Sequence, residues 1–106
     1  SGRAAALVLA VLLSGCSNEA QDLTLAQLVG QQRAYDGRMV RTTGVLHGYA
    51  NPPHYWIADV QDHRVELVTK EDLAPRLGRT LSVRGRFRYS ANDGRRIEVE
   101  TITQQP

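Results

Sequence analysis

The sequence predicts an all-β domain: five strands led by one short helix. Three observations carry that expectation. Runs rich in Val, Ile, Thr, Tyr and Phe alternate apolar with polar residues, the period of a half-buried strand. Clusters of Gly, Pro, Asn and Asp punctuate those runs at short intervals, as turns between strands do. Only one stretch places apolar residues at helical spacing, and it precedes every strand. The 106 residues have room for one domain.

Taken in order, "LTLAQLVGQQRAYDG" carries Leu25, Leu28 and Val29 on one helical face, and Thr24 with Gln27 makes a capping box. This predicts a helix over Leu25 to Gln32, with "YDG" turning into the first strand. "RMVRTTGVLHGY" is that strand, with Gly44 and Gly48 where a strand bulges or bends. "NPP" (Asn51 to Pro53) cannot sit inside a strand and marks a loop. "HYWIADV" and "RVELVT" are the second and third strands, joined by a tight turn at "QDH". "KEDLAPRLG" connects them to the rest and has room for one helical turn. "TLSVRGRFRY", the turn "SANDG" and "RRIEVETI" form a closing hairpin, and "TQQP" is a polar tail. No internal repeat or low-complexity segment is present.

Thirteen Lys and Arg against eleven Asp and Glu leave a net charge of only +2. The distribution is uneven. Asp22 to Asp72 holds five bases and seven acids, and Leu73 to Pro106 holds seven arginines and three acids. Basic character therefore concentrates around the hairpin "VRGRFRYSANDGRRIEVE", which places five arginines around one turn.

At the start, Arg3 precedes an unbroken apolar run from Ala4 to Leu13. Ten helical residues span about 15 Å, half a hydrocarbon core, which suits a secretory signal rather than a transmembrane helix. The run ends in "LSGC", and Leu13, Ser14, Gly15 and Cys16 together resemble the lipobox of bacterial lipoproteins. The resemblance implies diacylation of the Cys16 thiol, removal of residues 1–15 and acylation of the new N-terminus. Buried acyl chains, at roughly 0.8 kcal/mol per CH₂, make a durable anchor. Ser17 after the cysteine implies, by the Gram-negative sorting tendency, the outer membrane facing the periplasm. Residues 16–22 are then the lipidated cysteine and a tether. Cys16 is the only cysteine, so no disulfide, zinc–thiolate site or thiol nucleophile is left for the domain.

The stretches "YDGRMVRTTGVL", "YWIADVQDHRVEL" and "LGRTLSVRGRFR…GRRIEVETI" resemble the OB-fold, and most of all the small anticodon-binding-type OB domains of exported bacterial proteins. That resemblance implies a five-stranded Greek-key barrel over residues 23–103, with 104–106 as a tail. One departure stands out. OB-folds usually carry a substantial helix between the third and fourth strands, where this chain has only "KEDLAPRL". Its helix comes first, and is expected to cap the barrel.

Alternation puts Arg84, Arg86 and Arg88 on the outer face of the fourth strand, with Leu81, Val83, Phe87 and Tyr89 inward. With Ser90 to Gly94 as the loop and Tyr89 opposite Arg95, Arg86 faces Glu98, Arg84 faces Glu100 and Phe87 faces Ile97. Such pairs contribute roughly 0.2–1 kcal/mol each. Arg88 then faces Arg96, with Arg95 alongside and Asp93 as the nearest acid. The lower stripe answers itself. Arg88, Arg95 and Arg96 at the turn end carry unbalanced charge, either an anion site or a solvated surface.

Parity counted back from Val60 and Asp62 turns Trp56, Ala58 and Val60 into the barrel and leaves Tyr55 and Ile57 exposed. Nucleic-acid binding by such a barrel would use Tyr49, Tyr55 and Trp56 with Arg41 and Arg64. Aromatic residues are only 6% of the chain, however, and an exported anchored protein meets little nucleic acid. His47, His54 and His63 lie on separate segments at no ligand spacing, so no metal and no cofactor is implied. Ser17, Ser82 and Ser90 fall in tether, strand and turn, with no nucleophile elbow or phosphate loop, which argues against an enzyme. The expected function is a non-catalytic binding module that engages a protein partner in an envelope assembly. The alternative is a small or anionic ligand, an oligosaccharide or polyanion, held by Arg88, Arg95 and Arg96 with Tyr55. The loop "YANPPHYW" is the richest contact candidate, with Tyr49, Pro52, Pro53, His54 and Tyr55. By analogy with OB-folds, the loops Gly48 to Pro53 and Ser90 to Gly94 flank one face.

Overall fold

The computed structural model describes residues 19–106. The lipobox and Cys16 lie outside the described residues. A two-residue strand β1 (Gln21–Asp22) leads into helices α1 (Leu25–Gly30) and α2 (Gln32–Tyr35), followed by β2 (Met39–Ala50), β3 (Pro53–Ala58) and β4 (Arg64–Val68). A 3₁₀ turn at Ala74–Arg76 precedes β5 (Thr80–Ser90) and β6 (Gly94–Gln104). The five predicted strands are therefore β2 to β6. Gln104, expected in the tail, still pairs with Leu81, and Gln21–Asp22, expected in the tether, pairs in parallel with Val40 and Arg41.

The strands close into a ring in the order β2-β3-β4-β6-β5, with β5 returning to β2. Closure depends on β2 serving two partners. Met39 to Val45 pairs with β5, and Val45 to Ala50 pairs with β3. Gly44 sits at that change of partner. A Cβ there would lie 2.7 Å from Leu25 Cδ1 and 3.1 Å from the Ala58 carbonyl, so only glycine lets the helix and β3 come this close. All pairs are antiparallel except β4–β6 and the short β1–β2 ladder. The fold is an all-β OB-type barrel.

α1 begins with the predicted capping box. The Gln27 amide donates to Thr24 Oγ1 at 3.0 Å, and the Thr24 amide donates to Gln27 Oε1 at 2.8 Å. The expected single helix is interrupted at Gln31, whose backbone leaves helical geometry directly after Gly30, a weak helix former. Leu25 and Leu28 are 2% and 0% exposed and join the barrel core with Val40, Leu46, Ile57, Val65, Phe87 and Ile97. Burial of each such side chain contributes about 1.5–3 kcal/mol. The leading helix thus takes the capping place that the connector leaves open. That connector, with its single 3₁₀ turn, contributes buried Leu73 where β4 leaves the barrel and β5 enters.

The expected parity of β3 is reversed. Tyr55 and Ile57 point into the barrel and are buried, whereas Trp56 and His54 point outward. The count had run back through Val60, but β3 ends at Ala58 and Val60 is fully exposed in the turn. That turn is built on Asp59, whose Oδ1 accepts from the Gln61 and His63 amides at 2.9 Å each, and on Asp62 at φ 63°. Residues of such a turn carry no strand parity. Tyr55 is therefore not an exposed contact residue. Its hydroxyl donates to Asp72 Oδ1 at 3.1 Å and ties β3 to the connector. Burial, reinforced by that carboxylate, raises the phenol above its ordinary pKa.

In the closing hairpin the predicted register holds from Ser90↔Gly94 through Tyr89↔Arg95, Arg88↔Arg96 and Phe87↔Ile97 to Gly85↔Val99. A bulge between Arg84 and Gly85 then shifts it, so that Arg84 pairs with Thr101 and Glu100 is the extra residue. Arg84 and Glu100 still form an ion pair.

Candidate ligand-binding face

The turn-end arginines each lie near oxygen atoms of the chain, though for Arg95 these are neutral and Arg96 Nη1 is buried without a hydrogen-bond partner. Glu98 Oε1 takes the Arg88 Nε at 3.3 Å, across the diagonal, while Arg86 donates to the Gly37 carbonyl at 2.7 Å. Arg96 Nη1 lies 3.6 Å from Asp93 Oδ2. Arg95 donates from Nε to the Arg64 carbonyl at 3.0 Å and from Nη1 to Gln32 Oε1 at 2.9 Å. A register derived within the hairpin could not include Gln32 or Gly37, which reach it from the segment before β2. Arg33 in α2 likewise lies over the Tyr89 ring, 5.7 Å from its centroid.

A different assembly forms on the outer face of β3 and β4. Because Tyr55 and Ile57 are inward, His54 and Trp56 share the outer side, and the β2 register sets His47 opposite Trp56 and Tyr49 opposite His54. The four rings converge. His47 stacks near parallel to Trp56 with centroids 6.0 Å apart, Tyr49 is tilted at 5.7 Å, and His54 stands edge-on at 5.4 Å. From β4, Arg64 lays its guanidinium over the indole, 4.4 Å from the centroid. Such a contact contributes about 0.5–1 kcal/mol at an exposed site and holds the indole in place. Glu66, two residues on and on the same side, brings Oε2 to 3.7 Å from His54 Nε2.

All of these but His47 line an open cleft of about 410 Å³, which Asp93, Gly94 and Arg95 at the β5–β6 turn complete. Tyr49 stands at its edge, 65% exposed. The indole Nε1 is buried and has no hydrogen-bond partner.

Of the contact residues expected from sequence, the structure brings Tyr49, His54 and Arg95 to this cleft. Pro52, in the β2–β3 turn, and Pro53, the first residue of β3, are exposed but do not line it; nor do Arg88 and Arg96, and Tyr55 is in the core. The two loops expected to flank one face do so. Glu66 is the lining residue that sequence reasoning passed over; Trp56 was weighed as a stacking platform but assigned inward, and His47, which packs on it, was weighed only as a metal ligand. Arg64 was seen, but Arg41, considered with it, is elsewhere, paired to Asp22 at 2.8 Å. His63 is also apart, with Nδ1 2.7 Å from Asp59 Oδ2. Among the described residues, no group of three or more His, Cys, Asp or Glu side chains could hold a metal ion.

No protein-family model matches this sequence, and no curated protein matches it. Among solved structures, the chain is similar to a DUF3299 family protein from Pseudomonas aeruginosa, with a TM-score of 0.63 and 14% identity over 84% of this chain and 98% of that one. At that identity the likeness is one of fold.

Proposed function

We propose that this chain is a non-catalytic binding module, held by a lipid on Cys16 at the bacterial envelope, that binds through the outer face of β3 and β4 around Trp56. One observation carries the reading: three rings and Arg64 line a cleft outside the core, between two loops, with His47 packed on Trp56 beside it. Apolar ring surface clustered on the outside of so small a barrel marks a place where something docks. The cleft favours a ligand seated in it over the broad protein interface expected from sequence. A protein partner is the second reading, supported by the projecting Tyr49 and the two prolines beside it, which limit the entropy lost on docking. The hairpin arginines offer less to an anion, because Arg88 is paired with Glu98 and Arg95 donates to Gln32 and the Arg64 carbonyl.

Palmitate labelling and membrane fractionation test the anchor. The wild type should take up label and stay with the membrane, and Cys16→Ala should do neither. A photo-crosslinker at Asn92 of the anchored protein tests the face. It should give a discrete adduct that Trp56→Ala abolishes. Labelling that survives Cys16→Ala, or an adduct indifferent to Trp56→Ala, contradicts the proposal.

A further inference from the structure

We infer that the Trp56 cleft takes a neutral glycan segment, an inference that rests on the reading of this face as the binding surface. The balance of charge decides against a polyanion. Arg64 and Arg95 are matched by Glu66 and Asp93, so the two bases and two acids of the wall cancel. A polyanion site needs cations in excess with donors free to meet it. Here Arg95 already donates to Gln32 and to the Arg64 carbonyl.

What the wall does offer is both kinds of hydrogen-bonding group around an aromatic floor. The carboxylates of Glu66 and Asp93 accept, the Arg64 guanidinium donates, and the His54 ring does one at each nitrogen. A pyranose ring matches that set, because every hydroxyl both donates and accepts. Its C–H face is apolar and suits the exposed Tyr49 ring, which the neighbouring Trp56 supports at 5.7 Å. A polyphosphate brings only acceptors and would leave the two carboxylates facing like charge. An ammonium group brings only donors and would meet Arg64. The cleft of about 410 Å³ has the dimensions of a small-ligand site and is open at its edge, as entry of one segment of a longer chain requires.

Trp56 is the only tryptophan, so its fluorescence reports on this site without a label. The full chain, in a detergent without a sugar headgroup, is titrated with cellotetraose, chitotetraose, maltotetraose and, separately, inorganic polyphosphate, each at low and high salt. At least one tetrasaccharide should shift the emission saturably and independently of salt. Tyr49→Ala, at an exposed position near the end of β2 that leaves the core intact, should weaken that binding about tenfold. A response to polyphosphate alone, falling steeply with salt, overturns the glycan assignment while leaving the face as the binding surface. Silence towards every probe, with the Asn92 adduct still present, also overturns it and leaves a protein partner in its place. Silence together with loss of the adduct overturns both readings.

Discussion

Two surfaces of this barrel set their arginines against different neighbours. On the β5–β6 hairpin, Arg84, Arg86, Arg88 and Arg96 each find a carboxylate or carbonyl within the chain, and the side chains below them build the core. On the β3–β4 face, Arg64 has Asp62 Oδ1 at 3.5 Å but also lies over an indole, and the rings around it pack on one another rather than in the core. The denser charge is therefore tied down within the chain, and the sparser face is the one we propose for recognition.

Substitutions can break that contrast, and the largest effect belongs to the hairpin. Phe87 is fully buried beneath the arginine stripe, so Phe87→Ala should cost about 3–5 kcal/mol, read from urea unfolding. Trp56→Ala should do the reverse, leaving the unfolding midpoint much nearer the wild type while weakening binding about tenfold or more. Removing a hairpin charge should change little on either count. Glu98→Gln loses an exposed ion pair to Arg88, at most about 1 kcal/mol by thermal melting, with binding at Trp56 unaltered.

The smallest effect concerns the turn that sets the parity of β3. The His63 amide, then the His63 ring and the Gln61 amide, hold the Asp59 carboxyl below its ordinary pKa, against the opposing effect of burial. A folded pKa lower than the unfolded one means that Asp59 adds stability above the unfolded value, about 3.9, and loses it as pH falls through the folded value. Asp59→Asn should flatten the acid limb of stability against pH and leave the neutral plateau less affected.

The legible and illegible parts of the sequence divide along the same line. The capping box at Thr24 and Gln27 and the hairpin register from Ser90 to Gly85 depend on neighbours in the chain or on one tight turn, so spacing alone reveals them. The parity of β3 depended on where the chain leaves the strand. Asp59 decides that by bonding two amides ahead of it, and nothing in "ADVQDH" distinguishes that turn from one beginning two residues later. The partners of Arg88 and Arg95 come from the twist of the sheet and from Gln32, 63 residues away in sequence. The site itself could have been suspected from its edges, since both flanking loops and Tyr49, His54 and Arg95 were visible. Its centre, Trp56, was hidden by the one-residue error in parity.

The most direct test maps ligand contact over both surfaces at once. Amide spectra of the ¹⁵N-labelled protein are recorded before and after adding the tetrasaccharide panel and a soluble digest of bacterial envelope. Shifts gathered at His47, Tyr49, Trp56 and Glu66, with Arg84 to Arg88 unmoved, are the predicted result. Shifts gathered along Arg84 to Arg88 with the Trp56 face silent would contradict the account.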